Sequence, residues 1–321
     1  MEKGFNRDYT SIINPKQTRN FWSVIFFVNY RTMHKRDFIC MYVNDPKVSI
    51  YISTYNRLEK LKRAINSVFA QDYSNWELLV CDDASDDGTF EFMSNLVAND
   101  SRVLYLRNEC NKGACETRNL GINNASGVFI TGLDDDDEFT TDRISFFVNN
   151  WDDKYSFSCC DFLNKYPDGV SENYYKQNVN SLIFDFKDML YENEASNQIF
   201  TLTERLKNID GFNKEVRRLQ DWDTWLRLSY KYGEFIRFSK SSYIMHHDHA
   251  PHEIRVSQNE KIAASLLSLA ERNNDLYSSD EFRFMKYIVD AMNKESSLAE
   301  SIYWSLKKKN PKYIIKHFLK R

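Results

Sequence analysis

From Lys47 onward the chain alternates short β-rich runs with segments of helical periodicity, and few folds satisfy that alternation. Residues 48–52 form a β-rich run. Apolar residues at Leu58, Leu61, Ile65, Val68 and Phe69 then fall at the spacing of an amphipathic helix. The pattern repeats: residues 77–81 as strand, 90–98 as helix, 103–106 as strand, 114–125 as helix and 128–131 as strand. Such alternation predicts an α/β fold with a parallel, doubly wound sheet. Ligands of these sheets bind beyond the carboxyl ends of the strands. Three of those ends carry polar groups: Ser53-Thr54-Tyr55-Asn56-Arg57, Asp82-Asp83, and the run Asp134 to Asp137.

The second half is less regular. Residues 155–162 and 235–238 read as strands, Asp210-Gly211-Phe212 as a turn, and 222–230 as a helix. After about residue 257 the chain reads as helices, with Ile262, Leu266, Leu267 and Leu269 in the first. Residues 307–321 hold seven Lys or Arg and no acid. Residues 1–46 form an extension with an aromatic and basic patch between Phe21 and Arg36, closed by Pro46. The expected division is therefore an extension (1–46), a central domain (47–256, with halves 47–145 and 146–256) and a helical region with a basic tail (257–321).

Composition excludes several classes. With 9 Gly, 5 Pro and 15% aromatic residues in 321, the chain is neither fibrous nor disordered. A net charge of −3 is not that of a polycation built for nucleic acid. No stretch approaches the roughly 20 apolar residues of a membrane span, and residues 1–8 lack the layout of a secretory signal. The cysteines, Cys40, Cys81, Cys110, Cys115, Cys159 and Cys160, form no C-x-x-C pair and suit free thiols in a reducing compartment. A cytoplasmic location is expected.

Four segments carry the chemistry. In Leu133-Asp134-Asp135-Asp136-Asp137-Glu138-Phe139 the carboxylates repel one another unless a cation is present, and hard oxygen donors suit Mg²⁺ or Mn²⁺. A solvated acidic loop is the plain alternative. In Cys81-Asp82-Asp83-Ala84-Ser85-Asp86-Asp87-Gly88-Thr89, Asp86 or Asp87 is expected to cap a helix. Asp83 is placed to accept from an N–H of a base. In the segment from Asn111 to Asn119, Gly113 is expected to permit a close approach to the next helix. Arg118 is placed to bind phosphate or to order the aspartates. In Gln220-Asp221-Trp222-Asp223, the two acids are two apart on a helix and so face different ways. One of them, among tryptophans, is a candidate general base.

In this order and spacing, the four segments resemble the inverting family 2 glycosyltransferases of GT-A fold, from Lys47 to about Leu228. Residues 48–57 resemble the family's first strand and nucleotide loop, and Gln71 to Glu77 its link into the second strand. Asp82-Asp83-Ala84-Ser85 is similar to its base-binding turn, and Asn111 to Asn119 to its glycine–arginine segment. Leu133 to Phe139, with Asp142-Arg143 after it, is similar to its D-x-D metal motif. Gly211-Phe212 with Asp221-Trp222 is similar to its acceptor-side motif. Gln220 departs from the acid common at that place.

The resemblance implies a Rossmann-like nucleotide half with a mainly parallel sheet, an acceptor-side half, and a helical C-terminal region. It implies that Ser53, Tyr55 and Asp83 hold uridine, that Arg118 contributes to donor binding, and that Asp135 lies near the ribose or sugar. Asp134 and Asp136 would be the D-x-D carboxylates, with Asp136 the direct ligand of Mn²⁺ or Mg²⁺, and Asp221 the catalytic base. Of the histidines at 246, 247, 249 and 252, His247 and His249 are candidate metal or diphosphate ligands. The implied activity moves a hexose or N-acetylhexosamine from a UDP-sugar to a glycan acceptor on a polyprenyl diphosphate, in bacterial surface polysaccharide (O-antigen or capsule) synthesis. The basic, apolar tail and the N-terminal patch are candidate contacts with the inner face of the membrane. A nucleotidyltransferase and a non-catalytic carbohydrate-binding protein stay open as alternatives. Against the first, no glycine-rich loop lies near the first strand.

Overall fold

The computed structural model describes residues 45–175, 178–195, 197–248 and 259–319. The patch from Phe21 to Arg36, together with His249 and His252, lies outside them. In chain order come β1 (Val48–Thr54), α1 (Leu58–Phe69), β2 (Trp76–Asp82), α2 (Thr89–Asn99), β3 (Val103–Arg107), α3 (Ala114–Asn124) and β4 (Phe129–Asp134). Then follow β5 (Glu138–Phe139), α4 (Arg143–Asn149), β6 (Ser158–Lys165), β7 (Ser171–Asn173), β8 (Ser181–Phe184), β9 (Phe200–Leu202) and α5 (Thr203–Lys207). Helix α6 (Gln220–Tyr232) precedes β10 (Phe235–His246), and the helices α7 (Asn259–Arg272), α8 (Ser279–Met292), α9 (Leu298–Lys307) and α10 (Lys312–Leu319) follow.

The described strands form one sheet in the order β3-β2-β1-β4-β9-β6-β10-β5, with β7 on β6 and β8 on β10. The first four run parallel. Beyond them a parallel β6–β10 pair is flanked by antiparallel partners. Because β1 lies between β2 and β4, a crevice opens at the carboxyl ends of all three. Register then fixes who meets there: Ser53 lies beside Asp134, and Thr54 beside Asp82.

Both faces of the sheet are buried, which explains its continuous apolar runs. On β1, Val48, Ile50 and Ile52 face one core cluster, while Tyr51 faces the other. The adjacent Cys159 and Cys160 divide between the clusters in the same way, as free thiols. Helix α1 buries Leu61, Ala64, Ile65 and Val68 on one stripe. Each large side chain contributes about 1.5–3 kcal/mol on burial. Helices α7 and α8 join the sheet's own core through Ala263, Leu266, Leu269, Met285 and Val289.

Two elements differ from the sequence expectation. The strand expected over 155–162 is shifted to Ser158–Lys165. The strand expected to stop at Phe238 continues to His246, through register shifts between Phe238 and Tyr243 that break its alternation. That extension carries Tyr243 and His246 to the aspartate loop.

Candidate active site

The crevice is a cleft of about 920 Å³, and the polar ends of β1, β2 and β4 meet in it. Ser53, Tyr55, Asp83, Arg118, Asp134, Asp135, Asp136 and Asp221 all line it. Residues drawn from strand ends, a loop and two helices thus converge on one space.

The four aspartates divide by partner. Asp134 accepts from Arg118 (3.2 Å), Gln198 Nε2 (3.0 Å), Asn197 Nδ2 (3.3 Å) and the Tyr243 hydroxyl (3.4 Å). Asp137 turns inward to the Tyr243 hydroxyl (2.8 Å) and the His246 backbone N–H (2.9 Å). Arg57 Nη1 donates to both Asp135 (3.2 Å) and Asp136 (3.1 Å). Burial, with the Asp136 charge beside it, pushes the Asp135 carboxyl up to about 6. Burial, with Asp134 and Asp136, raises Asp137 too. Ionising these carboxyls is therefore disfavoured, first by burial and then by the neighbouring acids.

This donor set fits a hard divalent cation. Among the described residues no three His, Cys, Asp or Glu side chains form a ready-made metal cage. Mg²⁺ and Mn²⁺ commonly take one or two carboxylates and fill the remaining positions with water and substrate phosphate. At Asp136 a cation would compete with Arg57 Nη1, which donates to that carboxylate, and at Asp134 with the four protein donors already named.

Arg118 lies on α3 and bridges the two sides of the cleft. Its Nη2 meets Asp134 at 3.2 Å, while Nη1 donates to Gln220 Oε1 at 2.7 Å and stands 3.6 Å from Asp221 Oδ1. Phe212 lies 5.2 Å under the guanidinium. Phe212 is fixed in turn by a reciprocal pair of bonds with Asn119, each 2.7 Å. Gly211 enforces this approach: a Cβ there would stand 2.3 Å from Asn119 Oδ1, and its φ is +58°. Burial would lower the pKa of Arg118, but Asp221 and Asp134 outweigh burial and hold it above the usual value.

Asp221 sits in the first turn of α6, after Leu219 in the left-handed region. Its Oδ1 has no hydrogen-bond partner among the described residues. Burial pushes its carboxyl up to about 6, with Arg118 opposing and Asp134 adding to the rise. Asp223 faces away, as its spacing predicts, and is held by Arg227 (3.0 Å) and Asn273 (3.0 Å).

At the far side, Asp82 is structural, accepting from the Ser85 N–H and the Tyr105 hydroxyl. Asp83 accepts from Asn108 Nδ2 and from the Lys112 and Gly113 backbone N–H groups, each at 2.8 Å. Those bonds fix its carboxylate at the wall of the cleft. Gly113 does not serve a close approach, as expected from sequence; a Cβ there would meet nothing within 4 Å. Its φ of +91° is what calls for glycine. Asp87 does cap a helix, but from a distance: it accepts from the Leu58 N–H that opens α1 (2.8 Å), as well as from Thr89.

His247 lies not in this cleft but in an adjoining groove, stacked on Tyr166 with Nε2 2.7 Å from Asn164 Oδ1. His249 falls outside the described residues. Sequence reasoning passed over Arg57, Gln198, Asn197 and Tyr243 as partners of the aspartates, and Arg217 and Arg218 in the lining. Arg57 alone carried a sequence signal, as the last residue of a strand-end cluster.

The sequence profile "Glycosyl transferase family 2" matches residues 49–248. The chain is 33% identical over 241 residues to WcaA of Escherichia coli K12, named as a colanic acid biosynthesis glycosyl transferase, covering 73% of this chain and 84% of that one. It is 41% identical over 107 residues to the Escherichia coli UDP-Glc:alpha-D-GlcNAc-diphosphoundecaprenol beta-1,3-glucosyltransferase WfgD, covering 33% of this chain and 42% of that one. Among solved structures, Staphylococcus aureus TarS 1-349 in complex with UDP-GlcNAc superposes with a TM-score of 0.58 at 20% identity, over 78% of this chain and 72% of that one. Fold, profile and relatives agree: the chain belongs to glycosyl transferase family 2 and is a glycosyltransferase of GT-A fold.

Proposed function

We propose that the enzyme transfers a hexose or N-acetylhexosamine from a UDP-sugar to a glycan carried on a polyprenyl diphosphate, with inversion, in the assembly of a bacterial surface polysaccharide. The observation that carries the chemistry is Asp221. Its carboxylate lines the cleft, with Oδ1 buried 3.6 Å from Arg118 and making no hydrogen bond among the described residues, and its pKa is lifted to about 6. A base poised near neutral pH suits removal of a proton from an acceptor hydroxyl. As that proton moves to Asp221, the acceptor oxygen bonds to the anomeric carbon and the bond to the diphosphate oxygen breaks on the opposite face. Tyr55, Ser53 and Asp83 form the wall for the base and ribose. Arg217 and Arg218 bring positive charge to the cleft, and a buried Arg218 nitrogen there has no partner among the described residues. Mg²⁺ or Mn²⁺ at Asp136 would neutralise charge on the departing diphosphate.

The names of WcaA and WfgD support the polysaccharide setting, and that of WfgD a lipid-linked acceptor. TarS, seen with UDP-GlcNAc, supports a UDP-sugar. Among the described residues no helix is long and apolar enough to cross a membrane. In this proposal the enzyme works against the inner face of the cytoplasmic membrane. Exposed Leu298, Ile302 and Leu306 recur every four residues on α9, and Ile315, Phe318 and Leu319 share a face of α10, with Lys307, Lys308, Lys309, Lys312 and Lys316 interspersed. That mixture suits an anionic lipid surface.

The test is release of UDP from a panel of UDP-sugars, with GDP-sugars as controls, with and without Mn²⁺ and lipid-diphosphate acceptors. Metal- and acceptor-dependent UDP release that Asp136→Asn removes is expected. Saccharide binding with no nucleotide release from any sugar nucleotide would leave the carbohydrate-binding alternative.

A further inference from the structure

A second groove of about 580 Å³ opens from the cleft at Asp221, with Tyr174, Tyr175 and Asn193 lining both spaces. Its floor is one face of the sheet's second half. Residues alternate between faces along a strand, so Phe162, Asn164 and Tyr166 of β6 and its continuation face the same way. Met245 lies beside Asn164 on β10, and Glu172 opposite it on β7. Two stacked aromatic pairs mark the ends of this floor. Phe162 and Tyr174 stack with centroids 4.5 Å apart at 19°, and Tyr174 is 57% exposed. Tyr166 and His247 stack at 4.6 Å and 13°. Between them sits the Asn164 amide, pinned by His247 at 2.7 Å. At about 3.3 Å per residue, Phe162 and Tyr166 are about 13 Å apart along the strand.

We propose that this groove is an acceptor subsite that reads a second sugar ring, beyond the ring that receives the new bond; the inference rests on the transferase reading above. A pyranose offers an apolar C–H face to an aromatic ring and a rim of hydroxyls to amides and carboxylates. The floor supplies that alternation: aromatic, amide, aromatic. Its length exceeds one ring, so the pair near Asp221 holds the accepting sugar and the Tyr166–His247 pair holds the next. Charge argues for the same occupant. The groove is lined by Glu172 and Asp221 and by no Lys or Arg among the described residues, which disfavours a diphosphate and suits a neutral glycan. The preferred acceptor is therefore a disaccharide or longer glycan.

The experiment compares synthetic lipid-diphosphate acceptors bearing one sugar and two sugars, at saturating UDP-sugar. The wild-type enzyme is expected to prefer the two-sugar acceptor by about tenfold or more in kcat/KM, the size of a good aromatic stacking contact. Tyr166→Ala should reduce that preference, acting through the acceptor KM. His247→Ala, which leaves the backbone of β10 intact, should reduce it in the same direction. Equal use of the two acceptors by the wild type, or a preference unchanged in both variants, would overturn the subsite. Absence of UDP release from every UDP-sugar, with either acceptor or with water alone, would instead count against the transferase reading on which it rests.

Discussion

Arg118 holds Asp134 and Asp221 at the two ends of one guanidinium, 3.2 Å from the first and 3.6 Å from the second. Asp134 ends β4 and Asp221 lies in the first turn of α6, so residues 87 positions apart are set relative to each other by one largely buried side chain. The strand-end aspartates serve the leaving group in the proposed reaction and Asp221 serves the nucleophile. Arg118 is thus a positioning residue for both, and its own bond to Gln220 fixes the start of α6.

Replacing Arg118 by Lys keeps the charge but loses the planar fork. Removing the charge altogether would leave two partly buried carboxylates without their shared cation and risk unfolding. For Arg118→Lys we expect kcat to fall about 10²-fold, the cost of small misplacement at a reacting centre. Because Arg118 draws the Asp221 pKa down, weaker pairing should also move the acid limb of the pH–rate profile upward. An unaltered pH profile at full kcat would remove Arg118 from this role.

The raised pKa of Asp221 links activity and stability in opposite senses. A base must be ionised, so kcat/KM should fall as pH drops through about 6. Its folded pKa lies above the ordinary carboxylate value, so its favourable contribution to folding is present at low pH and is lost as pH rises through about 6. Above that, ionisation costs at most about 3 kcal/mol, less in practice because water in the cleft screens it. Asp221→Asn should cut kcat by about 10²–10⁴-fold. Its melting temperature relative to wild type should be higher at pH 8 than at pH 5. Thermal melts at the two pH values, beside rates with saturating donor, measure both; a variant with wild-type turnover would end the base assignment.

The parallel half of the sheet was legible because its strands are buried on both faces and its helices show a clean stripe, as Leu61, Ile65 and Val68 do. The strand-end acids were legible for the same reason: once β1, β2 and β4 are placed, Ser53, Asp83 and Asp134 must meet at one edge. Irregular backbone hid the rest. Asn197 and Gln198 reach Asp134 from a loop without periodicity, and the register shifts of β10 concealed the route of Tyr243 and His246. No sequence pattern revealed that α7 would add Ile262 and Leu266 to the cleft, because only packing brings it there.

Gly132 tests how firmly the cleft floor is packed. It lies two residues before Asp134, and a Cβ there would stand 2.1 Å from Gln198 Oε1 and 2.6 Å from the Tyr51 ring. Gln198 is one of the donors that hold Asp134. Gly132→Ala should destabilise the fold by about 1–3 kcal/mol, the usual cost of overpacking. It should also lower turnover more than a distant mutation of equal destabilisation, because Gln198 must move. Denaturant titration with parallel rate measurements decides; a stable, fully active variant would show that the floor yields easily.

The exposed faces of α9 and α10 predict membrane binding with a defined salt response. Leu306 is 73% exposed and Phe318 60% exposed, and of the lysines near them Lys307 pairs with an acid, Asp280. Apolar insertion and lysine attraction should act together, each lysine near the surface contributing about 1 kcal/mol, or about fivefold in affinity. Sedimentation with vesicles containing anionic phosphatidylglycerol should exceed that with phosphatidylcholine alone and should weaken as salt is raised. Leu306→Glu combined with Phe318→Glu should abolish it, while soluble-acceptor turnover persists, since both residues lie outside the cleft lining. Equal sedimentation by the double variant would refute these faces as the contact, and a dimer that the double variant dissolves would reassign them to a second copy of the chain.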